Sequence, residues 1–441
     1  MARVRDAGII GAGGAGFPSH IKTGSNAELV IANGAECEPL AQADQQLMIR
    51  HADKIVSGLS LLMDATGASK GVVALKKKYT AAIESLNMAI SGAIPGGKNI
   101  ELFLLRDFYP AGDEFVLVHE VTGRVISEGN LPLSEGVVVQ NVGTLFNISE
   151  ANRGIPVTHR HISVLGEVKS PATFRVPVGT SFSDLIAMAG GAKLDEYAMI
   201  TGGPMMGRVT FDVSLTVNKT LGMLLVLPKH HPLIALKTRQ LSRNIRLIKS
   251  ACTQCSYCTE LCPRYLLGHH LQPHKIMRSL DYSDVASTDV ITSAALCSGC
   301  GLCETYACLQ GLSPRQINME IRAELSRKGY RHEPSKDKAK ARQEMGHRKV
   351  PAERLLRRLG LEGYKQAAPF RETSYAVKQV KIGLRQHIGA PAFPVVEEGE
   401  TLRQGDLIAD IPAGQLGARY HASVSGRVRR IDRDEIVIEA A

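Results

Sequence analysis

The sequence predicts a multidomain α/β protein, and three observations lead to this fold class. Residues 1–150 alternate β-branched runs with amphipathic stretches, a strand–helix–strand order typical of a largely parallel sheet. Eight of the nine cysteines fall in two short groups within residues 235–330, a segment of helical character. From Val380 onward, short strand-like runs return with regular turns, which indicates a small all-β barrel or sandwich.

Composition and charge narrow the cellular location and the kinds of partner that we expect. The chain has 441 residues, of which 44% are hydrophobic and 22% charged, as in ordinary globular proteins. Nine cysteines are too few for a secreted disulfide scaffold, and the first residues lack a signal-peptide core, so we expect a cytoplasmic protein. The longest apolar run, 221–227, is too short to span a bilayer, which predicts no direct membrane insertion. The formal charge of +10 is spread widely and only 5% of residues are aromatic, which disfavours nucleic-acid binding.

Individual elements follow from local patterns. Residues 40–67 place apolar side chains at helical spacing and end on Gly67, which favours a helix with a glycine C-cap. Residues 160–230 contain a strand, a turn, a second strand and one short helix, which predicts a small sheet-plus-helix module. Residues 336–358 are basic and polar, which is typical of a linker or a solvated helix.

Both cysteine groups have a spacing typical of iron–sulfur ligands. The first follows C-x2-C-x2-C-x3-C-P, the pattern of bacterial ferredoxin-type [4Fe–4S] sites; the second has four residues before its last cysteine and no proline. In two-cluster ferredoxins the fourth cysteine of each run ligates the other cluster. The pattern predicts two [4Fe–4S] clusters, with zinc or a single cluster as alternatives, and leaves Cys37 outside the ligand set. The predicted metal ligands are Cys252, Cys255, Cys258 and Cys308 for one cluster, and Cys262, Cys297, Cys300 and Cys303 for the other.

Three loops of the first segment could hold the electron donor. The run GAGGAGFPSHIK, residues 11–22, would let backbone amides approach a phosphate or a flat ring, although no long strand of a Rossmann fingerprint precedes it. Loops 31–39 and 108–115 follow apolar runs and present acidic side chains, where an α/β sheet binds ligands. Solvated loop acids are the alternative interpretation of each single residue.

These loops, followed by VQNVGTLFNI at 139–148, resemble the FMN- and NADH-binding subunit family of respiratory complex I, and more closely the RnfC-type electron-transport subunits. The resemblance covers residues 5–330. It implies FMN over the glycine loop and NADH as substrate stacked near Phe17, with Glu38 and Glu114 as catalytic residues at the nicotinamide end. The implied cofactor-binding residues are Gly11, Gly13, Gly14, Gly16, Phe17, Lys22, Asn33, Glu36, Tyr109, Gly112, Asp113, Asn141 and Thr144.

The same resemblance assigns the domains. The second module is similar to the β-grasp soluble-ligand-binding domain of that family. The C-terminal segment resembles the barrel-sandwich hybrid of lipoyl and biotinyl carriers, but its hairpin at 412–420 has no lysine to modify. We predict an FMN/NADH-binding α/β domain at 1–155, a β-grasp domain at 156–232, a helical 4Fe–4S ferredoxin-type domain at 233–335, a basic linker at 336–375 and a barrel-sandwich hybrid at 376–441.

The barrel lies in the C-terminal segment, after the flavin and cysteine segments. In this domain order the sequence resembles the cobalamin reductases of propanediol-utilisation microcompartments. This resemblance implies cob(III)alamin and cob(II)alamin as electron acceptors, a location in a bacterial microcompartment, and an adenosyltransferase and shell proteins as partners. Two alternatives remain at this point: an RnfC-type subunit of a membrane-associated complex, and an electron-transfer protein of another microcompartment type.

Overall fold

The first domain is built on a four-stranded parallel sheet, because its β-branched runs can be buried on both faces. The computed structural model describes residues 2–92, 98–280 and 287–441. The strands of this part are β1 (Leu29–Gly34), β2 (Lys70–Lys76), β3 (Asn99–Leu105), β4 (Phe108–Tyr109) and β5 (Val137–Asn141). The sheet has the order β3-β2-β1-β5, with every pair parallel.

Helices cover both faces of this sheet. They are α1 (Ala2–Asp6), α2 (Ser19–Lys22), α3 (Ala43–Arg50), α4 (Ala52–Thr66), α5 (Thr80–Ser91), α6 (Glu114–Thr122) and α7 (Val142–Asn152). Val30 and Ala32 pack in one core with α4 and α7, whereas Ile31, which points the other way, packs in a second core with α6. The amphipathic stretch predicted as one helix is interrupted at His51, and its second half ends on Gly67 in the left-handed conformation, as predicted.

The second domain has the predicted β-grasp character, with one helix packed on a mixed sheet. Its elements are β6 (His159–Gly166), β7 (Ala172–Pro177), α8 (Phe182–Met188), β8 (Tyr197–Thr201), β9 (Arg208–Thr210) and β10 (Met223–Pro228). The sheet has the order β7-β6-β10-β8-β9, and within it only the pairing of β6 with β10 is parallel.

Short helices carry the two cysteine groups, as the sequence predicted for this part of the chain. They are α9 (Pro232–Lys237), α10 (Leu241–Ala251), α11 (Tyr257–Glu260), α12 (Pro263–Leu266), α13 (Pro273–Ser279), α14 (Thr288–Thr292) and α15 (Pro314–Arg327), with a 3-10 turn at Ser293–Leu296 and a π-helical turn at Cys303–Ala307. Cys262 and Cys297 take part in the hydrophobic core of this domain.

The segment predicted as a basic linker packs against its neighbours instead of being solvated throughout. It contains β11 (Val350–Pro351) and α16 (Ala352–Arg358), with 3-10 turns at Gln343–Gly346 and Glu362–Tyr364. Leu355 and Leu361 are fully buried in a core shared with the β-grasp domain. β11 pairs with β4, so this segment lies against the third loop of the first domain.

The last segment folds into two small antiparallel sheets around one core, as expected for a barrel-sandwich hybrid. The strands are β12 (Gln379–Gly383), β13 (Phe393–Pro394), β14 (Thr401–Leu402), β15 (Leu407–Asp410), β16 (Tyr420–His421), β17 (Gly426–Ile431) and β18 (Glu435–Ala440). Their orders in the two sheets are β12-β18-β17-β14 and β13-β15-β16. Within the described ranges, no helix has both the length and the apolarity needed to cross a membrane.

Candidate functional site

The start of the glycine loop is held by side chains of the first two domains. The amide of Gly11 donates to the Phe17 carbonyl at 2.8 Å, which closes the loop on itself. The amide of Ala12 donates to Thr144 Oγ1 at 2.8 Å, and the buried Arg160 donates through Nη2 to the Ala12 carbonyl at 2.6 Å. Thr144 and Arg160 therefore hold the loop over the sheet.

The middle of this loop is open to a ligand. Gly13 and Gly14 are exposed, and among the described residues their amides have no protein acceptor. Gly14 has a φ of +106°, and a Cβ added there would meet nothing within 4 Å, so only glycine fits this backbone without strain and space remains above it. An exposed turn of free amides fits a phosphate or the face of a flat ring.

Acidic side chains gather below the loop at the carboxyl edge of the sheet. Asn141 caps α7 by accepting from Gly143 and donates through Nδ2 to Asp44 Oδ2 at 2.7 Å. The pKa of Glu36 is raised to about 8, mainly by desolvation and to a smaller extent by the nearby Asp44 carboxylate. Glu36 is therefore mostly protonated at neutral pH and can donate a hydrogen bond to a ligand in this site.

Lys22 brings a cation to the same edge. Its ammonium donates to the Val139 carbonyl at 2.8 Å and pairs with Glu114 at 3.0 Å. Glu114 begins α6, and its side chain is 45% exposed, so the carboxylate is accessible to an approaching substrate.

Glu38 points away from this edge and into the β-grasp domain. Its carboxylate accepts from the amides of Met205 and Met206 at 2.8 and 2.7 Å. The pKa of Glu38 is raised overall, because desolvation raises it by more than the hydrogen bonds from these two amides lower it. The carboxylate thus bridges the first two domains.

The second and third loops meet at Cys37. Its sulfur accepts from the Gly112 amide at 2.8 Å, while Asn33 donates to the Gly112 carbonyl at 2.9 Å. Desolvation raises the pKa of the Cys37 thiol to about 12, so it is a neutral packing group.

The four cysteines predicted for the first cluster, Cys252, Cys255, Cys258 and Cys308, all line one cavity of about 80 Å³. Among the described residues, no three His, Cys, Asp or Glu side chains are grouped closely enough for one metal ion. Desolvation and then the three other cysteines raise the pKa of the Cys258 thiol to about 12.

The second cysteine group is buried. Cys262, Cys297, Cys300 and Cys303 are each less than 10% exposed. Desolvation and then Cys262 raise the pKa of Cys300, which indicates that the last cysteine of the first run lies with the second run. The assignment of the eight cysteines to two crossed ligand sets stays a prediction from the sequence.

Two polar contacts join the third loop to this buried group. Tyr109 is fully buried, and its hydroxyl donates to the Cys300 carbonyl at 2.6 Å. Asp113 caps α6 and accepts two bonds from Arg264, at 2.6 and 3.1 Å, and Arg264 stands two residues after Cys262. The third loop therefore touches both peptide segments that carry the buried cysteines.

Sequence reasoning found the loops but missed several side chains that hold them. Asp44, Arg160 and Arg264 belong to no recognisable motif, and each partner lies in a distant part of the chain. Only Arg264 had a local signal, its position beside the last cysteine of the first run. The roles assigned to the predicted cofactor-binding and catalytic residues remain predictions.

Comparisons with known proteins bear on each domain. Four family models match: the Nuo51 FMN-binding domain over residues 4–150, the SLBB domain over 162–209, the 4Fe-4S dicluster domain over 251–313 and the RnfC barrel sandwich hybrid domain over 366–440. The predicted fold class is thereby confirmed, and the chain carries an FMN-binding domain and a 4Fe–4S dicluster domain.

Similar proteins cover the whole chain. It is 42% identical to the cobalamin reductase PduS of Citrobacter freundii and 43% identical to that of Salmonella typhimurium, over 99% of this chain and 95% of each relative. One subunit of the Na(+)-translocating ferredoxin:NAD(+) oxidoreductase complex of Acetobacterium woodii is 37% identical over 62% of this chain and 58% of its own length. An NAD+-reducing [NiFe]-hydrogenase structure shares the fold, with a TM-score of 0.51 and 23% identity over 73% of this chain and 62% of its own.

Proposed function

The chain belongs to the family of the cobalamin reductase PduS, and we propose that it passes electrons from NADH through FMN and two [4Fe–4S] clusters to cob(III)alamin and cob(II)alamin. The observation that carries this proposal is the direct contact between the third loop of the FMN-binding domain and the buried cysteines. Tyr109 reaches the Cys300 carbonyl, and Asp113 holds Arg264 beside Cys262. A donor site and an acceptor site so joined form one electron path.

The residues of the first domain bind and orient. Gly13 and Gly14 offer free amides for the FMN phosphate or ring, and Thr144 keeps the loop in position. Lys22 and Glu114 lie at the exposed side, where NADH would approach next to Phe17. When bound, FMN accepts two electrons together and releases them singly, as one-electron clusters require.

The burial of the cysteine groups gives the path a direction. The group of Cys262, Cys297, Cys300 and Cys303 is buried and touches the FMN-binding domain, whereas Cys255 of the other group is exposed. A cluster held by the buried group would lie next to the FMN-binding domain and could accept electrons from it, whereas a cluster held by the group of Cys255 would lie nearer the surface and could supply an external acceptor. Amides of Gly299 and Leu312 that point at Cys297 and Cys308 would raise the reduction potentials of the groups they face.

A second candidate is an RnfC-type subunit of an ion-translocating complex. It is favoured by the 37% identity to the Acetobacterium woodii protein, but that likeness covers 62% of this chain, against 99% for PduS. Copurification with membrane partners, without cobalamin reduction, would favour this candidate.

The cellular context is part of the proposal. We place the protein in a bacterial microcompartment, with shell proteins and an adenosyltransferase as partners, on the sequence resemblance described above. Affinity capture from cells that make microcompartments tests these partners, and a cytosolic protein free of shell components would contradict them.

The enzymatic proposal is tested by anaerobic mixing of NADH, aquacobalamin and protein reconstituted with FMN and iron. We expect the cob(III)alamin absorption to give way to that of cob(II)alamin at a rate proportional to protein concentration. The matched control is the Cys300→Ser variant, which should still oxidise NADH with a flavin-reactive dye. Wild-type protein that reduces the dye but not aquacobalamin would overturn cobalamin as the acceptor.

A further inference from the structure

Lys219 is a buried cation without a carboxylate partner. It lies in the loop between β9 and β10 of the β-grasp domain and is 3% exposed. Its ammonium donates to the carbonyls of Gly8 and Arg419, at 2.8 and 2.7 Å, and lies 4.5 Å from the centre of the Tyr420 ring. Among the described residues no acid forms an ion pair with it, and desolvation lowers its pKa to about 7.

The two carbonyls belong to different domains. Gly8 precedes the glycine loop of the FMN-binding domain, and Arg419 belongs to the barrel, so one side chain from a third domain joins them. The approach is close: Gly8 has a φ of +65°, and a Cβ added there would lie 2.2 Å from the Arg419 carbonyl. Glycine at this position therefore serves the contact with the barrel.

The barrel also reaches the far end of the glycine loop. The amide of Ile388 donates to the Gly16 carbonyl at 3.0 Å, and a Cβ on Gly16 would lie 3.1 Å from the Gln386 carbonyl. The Gln386 side chain in turn accepts from the Lys219 amide at 2.8 Å. The barrel and Lys219 thus hold the backbone at Gly8, just before the loop, and at Gly16, on the other side of the open turn at Gly13 and Gly14.

We propose that Lys219 is a positioning residue that clamps the C-terminal barrel onto the glycine loop and thereby fixes the loop for FMN. The barrel, which bears no lysine on its hairpin, then serves the flavin site rather than carrying a group of its own. This inference rests on the proposed binding of FMN at the glycine loop. This positioning role accounts for a buried amine at residue 219, where an apolar side chain would pack at a lower desolvation cost.

The test uses full-length protein and the Lys219→Met variant, which keeps an unbranched side chain one atom shorter and removes the ammonium donors. Lys229→Met is the matched control, because Lys229 lies in the same domain, is 46% exposed and pairs with Glu196. We measure the FMN dissociation constant by quenching of flavin fluorescence, well below the melting temperature, and amide hydrogen exchange across residues 9–19.

For Lys219→Met we expect an FMN dissociation constant raised on the order of tenfold, faster exchange in the glycine loop and unchanged iron content. Lys229→Met should match wild type. If Lys219→Met does not fold, Gln386→Ala removes the acceptor of the Lys219 backbone amide, a neighbouring contact that joins the same loop to the barrel, and should raise the dissociation constant by about threefold. Wild-type affinity and exchange in a folded variant would overturn the inference, whereas wild-type protein that binds no FMN would instead refute the proposed function.

Discussion

The ion pair between Asp113 and Arg264 should hold the FMN-binding domain against the ferredoxin-type domain. The two side chains are 13% and 9% exposed, joined by bonds of 2.6 and 3.1 Å, and the Arg264 guanidinium lies 4.0 Å from the centre of the Phe115 ring. Asp113→Asn keeps a residue that caps α6 and removes the charge. Removing one partner of a buried pair costs about 3–5 kcal/mol, and an asparagine oxygen that still accepts one bond reduces the loss to about 3 kcal/mol.

Calorimetry of anaerobically prepared holoprotein measures this loss. A destabilisation of about 3 kcal/mol in a domain of this size lowers the melting temperature by about 6 °C. Glu28→Gln is the matched control, because Glu28 and Arg124 form a pair that is 62% and 38% exposed. Exposed pairs contribute about 0–1 kcal/mol, so this control should melt within about 2 °C of wild type. If Asp113→Asn melted with the control, the pair would not couple the two domains.

Further predictions concern the metal ligands, a buried acid and the nicotinamide end. Cys255→Ala and Cys300→Ala should each lose about half of about eight irons while FMN stays bound, and Cys37→Ala should lose none; iron analysis decides. The folded-state pKa of Glu36, about 8, lies above its ordinary value of 4.5, so wild-type stability falls as pH rises between these values. Glu36→Gln removes that slope. Between pH 6 and pH 9, wild type should therefore lose about 2–3 kcal/mol of unfolding free energy relative to the variant, as measured by denaturant titration. An equal difference between the two proteins at both pH values would contradict the shift. Glu114→Gln should slow flavin reduction by NADH about tenfold with little change in FMN affinity, and unchanged stopped-flow rates would reject that role.

Local patterns predicted the elements of the fold, and they also group the cysteines into two ligand sets, which remain a prediction. The run of apolar residues before Gly67 and the spacing of Cys252 to Cys262 are short-range features, so the sequence displays them directly. The exchange of Cys262 and Cys308 between the sets is likewise a prediction, made from ferredoxin spacing alone.

Contacts between domains could not be predicted in the same way. Tyr109 and Cys300 are 191 residues apart, and Asp113 and Arg264 are 151 apart, so no local pattern relates them. Lys219 gave no signal because a lone lysine in a loop is usually solvated. The basic composition of 336–375 also concealed Leu355, which is fully buried, since one face of α16 is apolar and the other charged.

The central claim is that one chain joins a flavin to two four-iron clusters, and a reductive titration tests it most directly. Protein reconstituted with FMN and iron is titrated anaerobically with dithionite and followed by absorbance and by electron paramagnetic resonance. We predict an uptake of about four electrons per chain, two for FMN and one for each cluster, with signals of two distinct reduced clusters. Uptake of about two electrons with no cluster signal, or of about three with one cluster, would contradict it.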